Sequence, residues 1–212
     1  MSDYGVPQDR KRVFFIGYRN DLGIEFKFPN PTTAENKINL SAAIGDLKDN
    51  VLPAQKGNIT NGENCLVPNH EYMTGGFSTI YMSRNRVRSW DEVSFTIQAG
   101  GRHAPIHPQA PKMQFVEQNV RIFVPGYEHL YRRLSVRECA RIQTFPDNFY
   151  FHYNNVADAY KMIGNAVPVR MAKVLAQQIM ADMSRFEFVE KKSVKKWDTV
   201  SNMMGSQLVE VS

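Results

Sequence analysis

The sequence has few cysteines and no long hydrophobic run. Its two cysteines, Cys65 and Cys139, are far apart in a chain of 212 residues. Two thiols cannot build a disulfide framework or a cysteine-ligated zinc site. No apolar stretch approaches the roughly 18 residues that a membrane-spanning helix needs. We therefore expect neither a metal site nor a membrane span.

The amino terminus also lacks the apolar core of a secretory signal. Its opening residues, MSDYGVPQDRKRV, are mostly polar, so we expect a cytoplasmic protein. Histidine is scarce too. His103 and His107 are four residues apart, but Pro105 and Pro108 deny them a common helical face. We interpret both histidines as polar loop residues.

Positive charge is present, but it is concentrated in arginine. The net charge is +5, which alone is weak evidence for nucleic-acid binding. Two arginine-rich clusters contain no lysine. One cluster comprises Arg84, Arg86, Arg88 and Arg102, and the other Arg132, Arg133, Arg137 and Arg141. Arginine suits bidentate contacts to phosphate and guanine, whereas an ordinary solvated surface usually includes lysine.

Hydrophobic patterning gives a coarse map of the first two thirds of the chain. The run VFFIGY at 13–18 is typical of a strand buried on both faces in a parallel sheet. The neighbours of such a strand are either elsewhere in this chain or missing from it. Residues 19–130 are rich in Gly, Pro and Asn, with candidate short strands at 77–82 and 93–98 and a brief helix at 42–47. This pattern predicts a small β-rich domain with long loops.

Helical signals return after residue 134. Ser135 and Glu138 fit a capping box, and the helix should run to about Gln143 because Pro146 prevents much further extension. A second helix should open near Pro168. It carries an apolar stripe of Val167, Met171, Leu175, Ile179 and Met183. Residues 184–212 are predicted to be a loosely held tail.

A polar cluster precedes the apolar run. Gln8, Arg10 and Arg12 alternate, and in an extended chain side chains two apart share a face. An amide and two guanidiniums would then project together at the end of a strand, where ligands of α/β sheets bind. They could hold a phosphate or the polar edge of a base. On spacing alone, an ordinary charged loop is the favoured interpretation.

Three segments resemble known sequence blocks in a known order. YGVPQDRKRVFFIGYR, RRLSVRECARIQTFPDNF and YKMIGNAVPVRMAKVLAQQI resemble the eighth, ninth and tenth blocks of DNA cytosine-5 methyltransferases. In that family the long variable stretch between blocks eight and nine is the target-recognition domain. The resemblance implies an α/β fold: a C-terminal fragment of a Rossmann-like methyltransferase domain, with one buried strand and a returning helix, plus a small loop-rich recognition domain. The implied boundaries are 1–18 (catalytic domain), 19–152 (recognition domain), 153–183 (return to the catalytic domain) and 184–212 (tail).

The resemblance also implies roles for individual residues. Gln8, Arg10 and Arg12 match the block that lines the pocket for the flipped cytosine. The turn at 164–167 matches the place where block ten meets S-adenosylmethionine, so Asn165 and Ala166 are expected to bind that cofactor. The block-nine helix is expected to be structural through Arg137, Glu138 and Arg141, with Cys139 as a small core residue.

Other family elements are absent from this sequence. The family needs a Gly-rich cofactor loop, a Pro-Cys nucleophile and a Glu-Asn-Val block; here Cys65 follows Asn64 and Cys139 follows Glu138. The Glu63-Asn64-Cys65 sequence lies in the variable region and is rejected as a catalytic block. We therefore expect the chain to be inactive alone and to work with an N-terminal methyltransferase portion. The sequence leaves open a stand-alone DNA-binding module and a truncated, non-functional gene product.

The variable region is similar to that of bacterial restriction–modification methyltransferases that act on GGCC. The similarity is strongest across 83–90 and around Gly101-Arg102. The implied partner is double-stranded DNA. Guanine offers O6 and N7 to a bidentate arginine. We expect Arg84, Arg86 and Arg102 to read guanines, and Arg88 to contact DNA without an assigned base.

Overall fold

The computed structural model describes residues 1–185, which form a mixed α/β structure with small sheets. Its α-helices are α1 (Leu40–Ile44), α2 (Val136–Ile142), α3 (Val156–Asn165) and α4 (169–185). Its strands are β1 (Leu52–Pro53), β2 (Glu71–Tyr72), β3 (Gln114–Glu117) and β4 (Val120–Ile122). β1 pairs in parallel with β2, and β3 forms an antiparallel hairpin with β4. Loops and short 3₁₀ turns connect these elements.

Packing divides the chain into two compact units. The first unit comprises Met1–Arg12 and Pro31–Ala172, and the second comprises Val13–Asn30 and the residues from Lys173 onward. These units are defined by packing, whereas the boundaries implied by the family resemblance concern function. Those boundaries stay a prediction. No helix among residues 1–185 is long and apolar enough to cross a membrane. The predicted tail at 184–212 lies almost wholly outside the described residues.

The core of the first unit is built on helices α1, α2 and α3. Leu40 and Ile44 of α1 are buried in it, as predicted for a brief helix in this region. The capping box of α2 is confirmed: the Ser135 side chain accepts a hydrogen bond from the Glu138 N–H, and the Glu138 carboxylate accepts one from the Ser135 N–H. Cys139 is fully buried in the same core, as predicted.

A fully buried ion pair anchors α2. Arg132 donates two hydrogen bonds to Glu138, at 2.8 and 2.7 Å. Burial would raise the pKa of the Glu138 carboxyl, but Arg132 outweighs burial, and the pKa is lowered. His107 lies in a loop, as interpreted from the sequence, but its burial was not predicted. It is fully buried beside Glu138, with its ring edge-on to Trp90, and burial lowers its pKa to about 4.

Helix α3 was not predicted, although its signals are in the sequence. Asn155 caps it by accepting a hydrogen bond from the Ala157 N–H. Its buried residues recur at helical spacing: Val156, Ala159, Tyr160 and Ile163. Near its end, Gly164 lies so close to the backbone of Gln98 and Ala99 that a Cβ there would overlap main-chain atoms. A side chain at 164 would therefore push α3 away from this segment.

The buried strand predicted at 13–18 is wrong for the described structure. These residues are in no strand, and Val13 and Phe15 are 77% and 96% exposed. A strand buried on both faces needs neighbouring strands and a covering layer, and none pairs with this segment among residues 1–185. The returning helix is present as α4. Its stripe is buried at Met171 and Leu175 but exposed at Val167 and Met183.

The middle of the chain is loop-rich, as predicted, but it contains less strand than predicted. Residues 77–82 form a turn that leads into a 3₁₀ turn at Tyr81–Ser83, and in 93–98 only Ser94 makes a bridge, to Gln8. Aromatic contacts, in place of hydrogen bonds between strands, hold the region around residues 77–82 together. The Phe77 ring packs at a tilt against Tyr81 and edge-on against Phe123, and the Tyr81 hydroxyl donates to the Ala104 carbonyl.

Two arginine–carboxylate pairs of similar geometry allow a matched stability test. Replacing Glu138 with Gln leaves the buried Arg132 charge without its partner, so we expect a loss of about 3–5 kcal/mol in the free energy of unfolding. The bidentate pair of Arg141 and Asp147 is the control, because the Asp147 side chain is 56% exposed. Asp147→Asn should cost less than about 1 kcal/mol. Denaturant unfolding measures both, and equal losses would contradict the assignment.

Gly164 provides a second test. Gly164→Ala places a methyl group against main-chain atoms of Gln98, so we expect it to destabilise the protein by about 1–3 kcal/mol. Gly45→Ala is the control. Gly45 has right-handed helical angles, and its added Cβ would meet only the Ser41 Oγ, at 3.6 Å. This control should keep or raise the melting temperature. A thermal melt in which both variants match the parent would refute the close approach.

Candidate nucleic-acid interface and cofactor face

The block-eight residues do not project as one cluster. Gln8 is fully buried: its amide donates to the Gln143 Oε1 at 2.8 Å, and its carbonyl oxygen accepts from the Ile97 N–H at 3.1 Å. Arg12 is exposed, and within the described residues its guanidinium donates only to the neighbouring Lys11 carbonyl. The predicted shared face is therefore split between the interior and the surface.

Arg10 connects block eight to block ten. Its guanidinium donates to the carbonyls of Ile97 at 2.8 Å, Gly164 at 2.9 Å and Ala166 at 3.4 Å. Burial lowers its pKa, and the nearby Arg12 lowers it further. Arg10 thus fixes the main chain of the turn at 164–166, which the family resemblance predicts to meet the cofactor.

The two predicted cofactor residues have different surroundings. Asn165 is exposed, and its side-chain amide has no hydrogen-bond partner among residues 1–185. Ala166 is half-buried. Its N–H donates to the Ile163 carbonyl, and its own carbonyl accepts from Arg10. Asn165 can therefore offer a donor and an acceptor to a ligand, whereas Ala166 can offer only its methyl group.

The predicted DNA-contacting arginines fall into two groups. Arg84 and Arg102 are exposed, and neither guanidinium is paired within the described part of the chain. Arg86 donates through Nε to the Tyr81 carbonyl at 2.8 Å and through Nη2 to the Ile80 carbonyl at 3.2 Å, and it lies over the Tyr81 ring. Its Nη1 has no partner among residues 1–185. Arg88 is held by Glu92 at 2.9 Å and by Asp9 at 2.7 Å. Arg84 and Arg102 can thus use their whole guanidinium to contact DNA, and Arg86 can use one nitrogen. The charge of Arg88 is neutralised by its two carboxylate partners.

Three of the four arginines in the second cluster are internal, whereas Arg141 pairs at the surface with Asp46 and Asp147. Arg132 and Arg133 are buried, and Arg137 is fully buried. Arg137 donates to the carbonyls of Pro68, Pro146 and Phe149, so it ties loops to α2, and burial lowers its pKa. The structural role predicted for the block-nine helix agrees with these contacts. At Arg132, Arg133 and Arg137, the choice of arginine over lysine fits the internal hydrogen bonds that the guanidiniums make.

Arg102 lies on the wall of an open cavity that the sequence did not predict. The cavity has a volume of about 690 Å³. Its wall includes the segment Met73–Ser78, His103 and the buried Arg133, and none of its lining residues is acidic. The signal for it was present as the Gly75-Gly76 pair, since adjacent glycines often mark a specialised loop.

Comparisons with known proteins agree with the sequence blocks. The model of the C-5 cytosine-specific DNA methylase family matches residues 1–181. The Type II methyltransferase M.MthTI of Methanothermobacter thermautotrophicus is 65% identical over 182 residues, which are 86% of this chain and 54% of that protein. M.FnuDI of Fusobacterium nucleatum is 52% identical over 92% of this chain and 57% of its own length. The chain thus spans about half the length of these curated relatives.

A solved structure shows the same fold. It is a DNA modification methyltransferase encoded within a prophage of E. coli, with a TM-score of 0.57 and 19% identity. The match covers 86% of this chain and 58% of that one. Because the family model matches most of the sequence, and because relatives exceed 50% identity, the chain belongs to the C-5 cytosine-specific DNA methylase family.

Proposed function

We propose that this chain is the target-recognition and pocket-supporting part of a bacterial restriction–modification enzyme. The complete enzyme would transfer a methyl group from S-adenosylmethionine to cytosine C5 in GGCC duplexes, in the cytoplasm. The observation that carries the proposal is that the guanidiniums of Arg84 and Arg102 are exposed and have no partner among residues 1–185, while Arg86, between them in sequence, is held in one orientation. Several arginines with free donor edges suit a site made only of G·C pairs.

The chemistry divides between this chain and a further portion. A thiolate must add to cytosine C6 while an acid assists at N3, and neither cysteine here follows a proline. The further portion, in the same polypeptide or a second one, would carry the nucleophile. The segment at 13–18, which pairs with no strand among residues 1–185, offers it the exposed apolar side chains of Val13 and Phe15.

The residues of this chain would prepare the pocket. S-adenosylmethionine supplies the electrophilic methyl group when bound, and the free amide of Asn165 suits the amino-acid end of that cofactor. Arg10 holds the carbonyls of Gly164 and Ala166, so the turn beside the cofactor keeps its shape. Gln8 fixes the main chain at Ile97, and Arg12 stays available to phosphate or base.

A stand-alone DNA-binding module is the second candidate. It is favoured by the first unit, which has its own core and carries all four arginines of the first cluster. It would bind GGCC duplexes without a catalytic partner. A truncated, non-functional product would show neither binding nor complementation.

Joining this chain to the part of M.MthTI that it does not match tests the enzyme proposal. We expect the joined protein to transfer labelled methyl groups from S-adenosylmethionine to a GGCC duplex, because the nucleophile is then present. The chain alone should transfer none. Incorporation by the purified chain would disprove the division of labour, and an inactive but folded joined protein that binds GGCC would favour the binding module.

Alanine variants in the joined protein test sequence reading. Changing Arg84, Arg86 or Arg102 should weaken binding to GGCC by about 1–3 kcal/mol and relax discrimination at one base pair. Arg88→Ala is the matched control, because that guanidinium is already paired with Glu92 and Asp9. It should leave the preference among bases unchanged. Binding is measured at fixed salt against GGCC and single-base variants. A uniform loss of affinity across all duplexes would indicate that the arginine contacts the phosphate backbone and not a base.

A further inference from the structure

Buried Arg133 aligns the main chain of the Gly75-Gly76 loop. It is 3% exposed, and its guanidinium donates to the carbonyls of Met73 at 3.4 Å, Gly75 at 3.0 Å and Gly76 at 2.8 Å. It also lies over the Phe77 ring at 4.1 Å. Two consecutive peptide oxygens, those of Gly75 and Gly76, are therefore fixed on the side of the loop that faces Arg133.

The geometry of the peptide group then sets the direction of the donors. A trans peptide places its N–H opposite its C=O, and no peptide bond in the described chain is cis. The N–H groups of Gly76 and Phe77 belong to the peptides whose oxygens bind Arg133, so both point away from that guanidinium. Neither N–H has a hydrogen-bond partner among residues 1–185. By contrast, the N–H of Thr74 is used by the Asn58 side chain at 2.8 Å.

The surroundings of this loop favour an anion. The loop lines the same cavity as Arg102 and His103, and no carboxylate lines that cavity. The oxygens of Gly75 and Gly76, which would repel an anion, are held back on Arg133. Adjacent free N–H groups beside a cationic side chain form a known kind of phosphate-binding concavity. The added positive charge of Arg133 behind the peptides strengthens the same polarity.

We propose that the Gly75–Phe77 loop binds one phosphodiester of the DNA backbone, next to the bases that Arg102 reads. Its two N–H groups would each donate to a phosphate oxygen and so set the position of the duplex against Arg102. This inference rests on the proposed DNA-binding function and assigns one contact within it. Phosphate contacts of this kind position a protein on DNA without reading sequence.

Gly76 offers a matched pair of variants. A Cβ at Gly76 meets no atom within 4 Å, so Gly76→Ala keeps the N–H and the fold. Gly76→Pro removes that N–H donor. The probe is a set of GGCC duplexes in which one phosphate at a time is a neutral methylphosphonate. Neutralising the contacted phosphate should weaken binding by the joined protein and by Gly76→Ala roughly tenfold, and should have little effect on Gly76→Pro.

A measurement on the unmutated joined protein guards against misfolding of the proline variant. Amide resonances of Gly76 and Phe77 should shift when the GGCC duplex is added, and the shift should disappear with the methylphosphonate at the contacted position. The proposal is overturned if no phosphate distinguishes Gly76→Ala from a folded Gly76→Pro, or if these two amides do not respond to bound DNA.

The same data separate this inference from the function on which it rests. If the joined protein shows no preference for GGCC and Arg102→Ala changes nothing, the proposed recognition function fails. If GGCC preference and its dependence on Arg102 are present while the loop amides are silent, only the phosphate contact is wrong.

Discussion

The ion pair between Arg132 and Glu138 fixes the centre of the first unit. Glu138 accepts from Arg132 with both oxygens and also closes the capping box at Ser135, so one carboxylate sets both the start of α2 and the loop before it. Removing one partner of a buried pair like this leaves an uncompensated charge, which is strongly destabilising. Arg132 and Arg133 are adjacent but reach different partners, because Arg133 contacts the loop at 73–76. The position of the loop at 73–76 in the cavity wall thus depends on the neighbouring ion pair of Arg132 and Glu138.

The arginines show how one residue type serves two purposes in the same chain. In the second cluster, Arg133 and Arg137 satisfy main-chain carbonyls that the loops leave without strand partners. A planar guanidinium with five donors suits this role. The arginines of the first cluster keep donor edges free, or keep them on the surface. In a domain with so little regular sheet, internal arginines do part of the work that strand pairing does elsewhere. Such a domain can vary its loops while its core is retained.

Local signals in the sequence were reliable where a local interaction determines the structure. The capping box at Ser135 and Glu138, the brief helix near residue 42 and the helix after Pro168 depend on neighbours within one or two turns. The segment at 13–18 depends on strands that are not among residues 1–185, so its composition alone misled. The distinction between Arg84 and Arg88 depends on Asp9, which is 79 residues away in sequence. The spacing of residues in the sequence does not predict a contact over that distance.

The segment at 13–18 exposes apolar side chains to which the proposed further portion of the enzyme could dock. The extent of docking would depend on the concentration of that portion near the segment. Within one polypeptide, a docking partner is held close by the chain, at an effective concentration on the order of millimolar. Two separate chains lack that advantage, and the fraction assembled would follow their cellular abundance. If the proposed further portion were a separate polypeptide, the amount of assembled enzyme would therefore depend on balanced synthesis of the two. Excess of this chain would leave Phe15 and Val13 in water, where they invite aggregation and proteolysis.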